Sequence, residues 1–202
     1  MIQTRTLAAA LSDGIIIGLD EATPTNHGRL NDTTVVVDDY IRMYEQKHRR
    51  DSITVLEGFA ASSRYVGARV AERYAETEDY YYDWFKAFCI SGSRFDIQGL
   101  RNLDLVNPTA CDSNTIRTMG CGYEFTVAPM QILAFYNIIA GDGRLLKPLL
   151  VKKMEGDIYD TRRAHPVVMD RQVLRKDVID SVRVALRTCV LDETAKSLGD
   201  LP

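Results

Sequence analysis

The segment 119–154 constrains the fold of this chain most, because it holds the strongest helix pattern between clear start and stop signals. Pro129 suits the first turn of a helix, where its missing N–H costs nothing. Gln131 can fold back toward the helix start, as the N3 residue of a capping box does. The apolar residues that follow recur at helical spacing and fill the other sides as well, which is typical of a buried helix. We therefore predict a central buried helix over 129–140.

Glycines flank this predicted helix on both sides. Gly120 and Gly122 predict a flexible lead-in, since glycine reaches backbone angles that other residues avoid. The Gly-Asp-Gly sequence at 141–143 predicts the end of the helix. The apolar residues 149–151 that follow predict a short strand.

A second helical pattern covers 54–74 and contains an interruption. Thr54 and Glu57 form a capping-box sequence, in which the threonine hydroxyl bonds the Glu57 N–H and the carboxylate reaches back. A Ser-Ser-Arg triplet at 62–64 then places three polar residues within the apolar pattern. The triplet indicates a break in the helix or a polar site, and a solvent-facing helix junction is the simpler interpretation.

Two more helices are predicted from apolar periodicity. The pattern over 170–191 is a clear amphipathic stripe, and Asp170 is the predicted N-cap of this helix. A shorter helix is predicted over 80–88, around Trp84, the only tryptophan of the chain. Its aromatic cluster indicates core packing rather than a ligand site.

The remaining segments carry weaker signals. Residues 6–11 predict the tail of a helix, since 7–11 are good helix formers, and Gly14 predicts its end. The β-branched residues 33–37 predict a short strand, and 38–46 predict a turn of helix. The polar residues 91–118 predict a long surface loop.

Composition and charge describe an ordinary globular protein. Hydrophobic residues make up 46% of the 202 residues and charged residues 26%, and the length fits one domain with a real core. The net charge is -3 and the basic residues are scattered, so we expect no nucleic-acid partner.

Cysteine and histidine spacing argues against a metal site. The cysteines are Cys89, Cys111, Cys121 and Cys189. No two of them form a C-x-x-C pair, and no two histidines stand at zinc-binding spacing, so we expect neither a metal nor a cofactor. Free buried thiols are the simplest interpretation, and a disulfide between two of them stays open.

The amino-terminal sequence shows neither a signal peptide nor a membrane span, because its only apolar run is far too short. The first predicted helix begins almost at Met1 with no cap before it. We therefore expect a single incomplete domain over 1–202, with its upstream part missing. A parent protein that works outside the cytoplasm would have lost its export signal with that part.

Three separated segments in a fixed order carry a family resemblance: ALSDG at 10–14, ITVLEGFAASSRYVGARVAERY at 53–74, and the segment 119–154. The third is the most specific, with G-x-G, a Pro-x-Gln helix start, A-x-Y-x-x-I-A, a glycine turn and K-P-x-x-V. Together they resemble the transpeptidase domain of class B penicillin-binding proteins, which cross-link peptidoglycan. The resemblance implies an α+β, mainly helical fold, a partial serine β-lactamase-like fold whose five-stranded sheet is only partly present.

The family's motifs map onto few residues of this chain. In the family a Ser-x-x-Lys motif supplies the nucleophile and an activating lysine, a Ser-x-Asn motif assists proton transfer, and a Lys-Thr-Gly strand binds the substrate carboxylate. By position the first motif is expected at or just before Met1, with Gln3 near the lysine position. The second motif has Ser62 in place but Arg64 instead of asparagine, and the third is expected after Pro202. The resemblance thus implies Ser62 and Arg64 as the catalytic positions and predicts that most of the machinery is absent.

Two functions follow from these observations. The first is a fragment or divergent member of the family, inactive alone. Peptidoglycan stem peptide or a β-lactam would then bind only to an intact parent in the periplasm or cell envelope. The second is a non-catalytic module that binds a partner protein of the cell-envelope machinery. Apolar faces left without the sheet predict a homodimer or compensating contacts. An unrelated helical protein with chance similarity is the third and weakest interpretation.

Overall fold

The computed structural model describes most of the chain, namely residues 2–30, 36, 38–74, 78–88, 104–105, 113–123, 125–149, 151–154, 156, 162–192, 195 and 197. Its α-helices are α1 Ile2–Ser12, α2 Asp39–His48, α3 Val55–Ala60, α4 Arg64–Glu72, α5 Glu78–Phe88, α6 Ser113–Cys121, α7 Pro129–Ala140 and α8 Lys176–Asp192. Its strands are β1 Ala22–Pro24, β2 Ser52–Thr54, β3 Asp104–Leu105, β4 Phe125–Thr126, β5 Leu145–Leu146, β6 Lys153–Met154, β7 Arg162–Arg163 and β8 Val168–Asp170. The predicted α+β, mainly helical class is confirmed.

The described strands form four two-stranded antiparallel pairs, β1 with β2, β3 with β4, β5 with β8 and β6 with β7. In the first pair Thr23 lies opposite Ile53, and in the third Leu145 lies opposite Asp170. Within the described ranges no helix is both long and apolar enough to cross a membrane.

Helix α1 is the central element of the core. Leu7, Ala8, Ala9 and Ala10 are buried, and α1 packs against α4, α5, α6 and α8. The small alanine side chains let several helices approach α1 at once. The helix ends as predicted at Gly14, which has a φ of 69° that suits glycine.

The segment 91–118 was predicted to be a surface loop, and this is wrong for its carboxyl-terminal part, where α6 begins at residue 113. Ile116 and Met119 are buried on α6. The contact between α6 and α4 is the most extensive between any two described elements. The flexible role predicted for Gly120 is also wrong, since Gly120 lies inside α6 and against the α4 backbone. Residues 91–103 and 106–112 lie outside the described part of the chain.

The pattern over 54–74 forms two helices, α3 and α4, separated at 61–63. The predicted capping box is confirmed: the Thr54 hydroxyl accepts from the Glu57 N–H at 3.1 Å, and the Glu57 carboxylate accepts from the Thr54 N–H at 2.9 Å. The predicted break is also confirmed.

Helix α7 has the predicted bounds but not the predicted central position. The Gln131 carboxamide accepts a hydrogen bond from the Ala128 N–H at 2.8 Å, which confirms the predicted start. Ala134 and Ile138 are buried, whereas Leu133 is 52% exposed, so only one face of α7 enters the core. Apolar residues on all sides predicted burial all round, but α7 packs by one face against α5, α8 and β5.

Two predictions near the carboxyl end are wrong. The strand predicted at 149–151 is absent from the described residues 149 and 151, and strands occur instead at β5 and β6. Asp170 is not the N-cap of α8, because it ends β8 and accepts a hydrogen bond from the Gln172 N–H at 2.9 Å. Helix α8 starts six residues later and packs on α3 and α7, which confirms the predicted contact between these three helical segments.

Other predicted segments have mixed outcomes. Helix α5 confirms the helix around Trp84, and Phe88 stacks edge-on against Phe135 at 5.0 Å between ring centroids, as core packing requires. Helix α2 is longer than the single turn predicted over 38–46. The strand predicted over 33–37 lies outside the described residues, apart from Val36.

Candidate functional site

The turn between α3 and α4 holds both residues implied as catalytic. Helix α3 ends after Ala60, and the Ser62 N–H donates to the Phe59 carbonyl at 2.9 Å. The Ser63 N–H donates to the Gly58 carbonyl at 2.8 Å, which closes the turn. Ser63 then serves as N-cap of α4, and its side chain accepts from the Val66 N–H.

Ser62 occupies a strained backbone position at the surface. Its φ of 56° lies in the left-handed region, which costs an L-residue about 1–2 kcal/mol. Its side chain is exposed, and among the described residues no hydrogen bond engages its hydroxyl. Strained residues of this kind are frequent at functional sites. The hydroxyl is accessible, but the described structure supplies no group that would activate it.

The Asp38 side chain holds the turn between α3 and α4 in place. Its carboxylate accepts from the Ser63 hydroxyl at 2.6 Å, from the Tyr65 N–H at 3.0 Å and from the Tyr40 N–H at 3.1 Å. One carboxylate therefore caps α2 and holds the start of α4. This role of Asp38 was not predicted, although an aspartate directly before a helical pattern is a recognisable N-cap signal.

Gln3 lies beside this turn, so α1 brings the expected lysine position next to the Ser-Ser-Arg triplet. The Gln3 Nε2 donates to the Ser63 carbonyl at 3.0 Å. A cavity of about 20 Å³, lined among others by Gln3, Ser63 and Phe59, adjoins this contact. That volume suits a single water molecule and is far too small for a substrate. A substrate would have to approach from the outer side of the turn.

Arg64 projects from the start of α4 toward solvent. Its Nη1 donates to the Tyr123 hydroxyl at 3.5 Å, and Tyr123 itself is 56% exposed. This hydrogen bond raises the pKa of the Arg64 guanidinium, with a further contribution from the charge of Asp38. Tyr123 was not predicted as a site residue, because no local pattern links residues 59 positions apart.

Cys121 is the only other nucleophilic side chain in contact with this turn among the described residues. Its Sγ lies 3.5 Å from the Arg64 carbonyl oxygen, to which it donates. Burial raises the pKa of the Cys121 thiol. Its side chain is partly buried and packs against the hydrophobic core.

The described side chains offer no metal site, since no group of three His, Cys, Asp or Glu residues could hold an ion there. Cys121 and Cys189 are free thiols, whereas Cys89 and Cys111 lie outside the described residues. The candidate site thus consists of Ser62, Arg64 and Tyr123 at the surface, with Asp38 and Gln3 behind them. These groups can donate hydrogen bonds and offer positive charge, but among the described residues no base is hydrogen-bonded to the Ser62 hydroxyl.

Comparison with known proteins assigns the chain to a family. The family model of the penicillin binding protein transpeptidase domain matches residues 5–200. Comparison with curated protein sequences gives no significant match.

Solved structures share the fold. A peptidoglycan glycosyltransferase from Burkholderia ambifaria matches with a TM-score of 0.77 and 17% identity, over 100% of this chain and 58% of that one. The transpeptidase domain of penicillin-binding protein 3 from Burkholderia pseudomallei gives 0.77 and 16%, over 100% and 55%. Penicillin-binding protein 3 from Mycobacterium tuberculosis, complexed with aztreonam, gives 0.68 and 18%, over 94% and 40%. The chain thus spans less than two thirds of the length of these structures, and at such identities the likeness establishes the fold.

Proposed function

Because this chain belongs to the penicillin-binding protein transpeptidase family, we propose that it is a fragment or divergent member that keeps the transpeptidase scaffold and does not acylate by itself. The family acts in peptidoglycan cross-linking at the cell envelope. Stem peptide or a β-lactam would react only with an intact parent that carries the missing motifs.

The environment of Ser62 carries this proposal. A serine nucleophile needs an adjacent group that accepts its proton. The residue near the expected lysine position is Gln3, whose neutral amide is no base and whose Nε2 donates to the Ser63 carbonyl instead. Arg64 replaces the family's asparagine and has no acceptor atom, so it cannot orient both donors and acceptors as an amide does. The sequence also contains neither Ser-x-x-Lys nor Lys-Thr-Gly.

Covalent labelling with a fluorescent penicillin tests the proposal. We expect no labelled band from this chain under conditions in which an intact transpeptidase domain is labelled to completion. Ser62→Ala and Ser63→Ala are matched variants, since they remove neighbouring hydroxyls of which only the first is exposed. A labelled band that Ser62→Ala abolishes and Ser63→Ala preserves would overturn the proposal.

A second function, a non-catalytic interaction module, is favoured by exposed apolar side chains near the carboxyl end. Among the described residues from 149 to 168 five such side chains occur, and they are Leu149, Val151, Met154, Val167 and Val168. Side chains of this kind are usually covered when they form one patch. The partner would be a cell-envelope protein or a second copy of this chain.

Sedimentation and pull-down from an envelope extract separate these partners. A concentration-dependent dimer that Val151→Asp and Met154→Asp abolish supports self-association. Retention of one envelope protein that the same changes release supports the module. The second function is contradicted if both interactions survive these changes. It is also contradicted if the chain is a monomer that retains no envelope protein.

A further inference from the structure

Arg64 differs from the other arginines at the packed helices α4 and α6. Arg69 donates to Glu72 at 2.9 Å, and Arg117 donates to the same carboxylate at 3.0 Å through Nε. Both of these arginines thus have an ion-pair partner at the helix crossing, the shared Glu72 carboxylate. Arg64 is exposed, and within the described ranges it forms no ion pair. It therefore presents an uncompensated cation at the outer side of the turn.

The nearest carboxylate does not satisfy Arg64. Asp38 contributes to the electrostatic field at Arg64, but its oxygens accept from the Ser63 hydroxyl and from the backbone N–H groups of Tyr40 and Tyr65. These three hydrogen bonds hold Asp38 beneath the turn. The guanidinium fork consequently faces solvent, with a single hydrogen bond of 3.5 Å to the Tyr123 hydroxyl.

We propose that Arg64, with the Tyr123 hydroxyl in contact and the Ser62 hydroxyl in the same turn, binds a carboxylate group of a peptide. A guanidinium presents parallel N–H donors that match the two oxygens of a carboxylate. The Tyr123 hydroxyl lies within reach of Arg64, and the exposed Ser62 hydroxyl belongs to the same turn. The site binds reversibly and needs no proton acceptor, which distinguishes it from an acylation site.

A carboxylate fits this site better than a phosphate or a nucleic acid. Phosphorylated ligands are usually held by clusters of arginines, whereas here one cation faces solvent. A net charge of -3 on the whole chain also disfavours a polyanion. A single negative charge of planar shape is the simplest complement to one arginine and two hydroxyls.

This inference rests on the proposed non-acylating function, since a covalent enzyme would use the same turn for chemistry. The two claims fail separately. Covalent labelling tests acylation, whereas the reversible affinity of a peptide tests Arg64. If penicillin labels the chain and an acidic peptide also binds in an Arg64-dependent way, only the proposed non-acylating function is refuted.

Fluorescence anisotropy with three short peptides measures the affinity of the full 202-residue chain. The first peptide carries glutamate side chains and an amidated carboxyl end, the second has neutral side chains and a free carboxyl end, and the third is neutral and amidated. We expect binding of the first or the second, which identifies the source of the carboxylate, and no binding of the third.

Variants of the chain test the residues. Arg64→Gln should lower the affinity for the peptide about tenfold or more, because a charge-assisted hydrogen-bonded pair is lost. Arg64→Lys should restore only part of the affinity, because it keeps the charge but not the fork. Arg187→Gln is the matched control, because it removes another exposed helical arginine. It should leave the affinity for the peptide unchanged. Equal binding by wild type and Arg64→Gln, equal binding of all three peptides, or binding of none overturns the inference.

Discussion

Gly67 of α4 and Gly120 of α6 meet backbone to backbone: a Cβ atom on Gly67 would lie 2.6 Å from the Gly120 carbonyl oxygen. The relation is reciprocal, since a Cβ on Gly120 would lie 2.6 Å from the Gly67 carbonyl oxygen and 2.5 Å from the Ala71 Cβ. This close crossing holds the start of α4 against the end of α6. It thereby sets Arg64 beside Tyr123, the contact on which the proposed peptide site depends.

Alanine at either glycine should destabilise the fold. Gly67→Ala and Gly120→Ala should each lower the free energy of unfolding by about 1–3 kcal/mol, because neither backbone can move away from the added methyl group. Helix propensity alone predicts the opposite sign, since alanine in a helix is favoured by about 0.5–1 kcal/mol. Urea denaturation measures the difference. Gly18→Ala is the control, because its Cβ would meet only the flexible end of the Asp20 side chain.

Loss of the Asp38 carboxylate should destabilise the Ser-Ser-Arg turn. Asp38→Ala removes the acceptor of the buried Ser63 hydroxyl and of two N–H groups, which should cost about 1–3 kcal/mol. Asp39→Ala changes the adjacent carboxylate, which caps nothing in the described structure, and should have a much smaller effect. Thermal unfolding of both variants checks this. An equal loss of stability in the two variants would show that the Asp38 carboxylate does not stabilise the turn.

Glycine at Ser62 should not destabilise the chain. Relief of the left-handed strain gains about 1–2 kcal/mol, and the greater freedom of glycine in the unfolded chain costs about 0.5–1 kcal/mol. Ser62→Gly should therefore be neutral or more stable by up to about 1.5 kcal/mol in chemical denaturation. Ser63→Gly, which loses the bond to Asp38, should be less stable. A marked loss of stability in Ser62→Gly would mean that its side chain supports the turn.

Stability at acidic pH should depend on Glu57. Burial alone would raise the pKa of this carboxyl group, but hydrogen bonds from the Thr54 N–H, the Tyr44 hydroxyl and the Thr54 hydroxyl lower it below its ordinary value of 4.5. The unfolded chain therefore binds the proton more readily than the folded one. The stabilisation that the ionised Glu57 carboxylate contributes is present above pH 4.5. It is lost as the pH falls below 4.5 toward the pKa of Glu57 in the folded chain.

Glu57→Gln should flatten the dependence of unfolding free energy on pH below 4.5, measured by denaturation at a series of pH values. Asp20→Asn is the control, because this exposed carboxylate accepts no hydrogen bond from the described residues. An unchanged slope in Glu57→Gln, or an equal change in the control, would contradict the assignment.

Local chemistry was predictable from the sequence, and distant pairing was not. The caps at Thr54 and Gln131 and the stop at Gly14 depend on residues within a few positions, and all three are confirmed. Helix α6 was missed because its polar sequence offers few buried side chains, with Ile116 and Met119 the described apolar ones. Its stability comes from a glycine contact with α4, about fifty residues earlier, and no local periodicity shows such a contact.

Long-range pairing also explains the remaining errors. Asp170 carries a typical cap side chain, yet the pairing of β8 with β5 places it in a strand. At the candidate site, Ser62 and Arg64 were predicted by resemblance, whereas Asp38 and Tyr123 became visible only in three dimensions. Their partners lie 25 and 59 residues away in the chain.

Intact-mass spectrometry after prolonged incubation with benzylpenicillin tests the central claim most directly, because it detects an acyl adduct at any residue. We predict that the mass of the chain stays unchanged, while an intact transpeptidase domain in the same solution gains the mass of one penicillin. A stoichiometric adduct that peptide mapping places on Ser62 would contradict the account of a transpeptidase scaffold that does not acylate by itself.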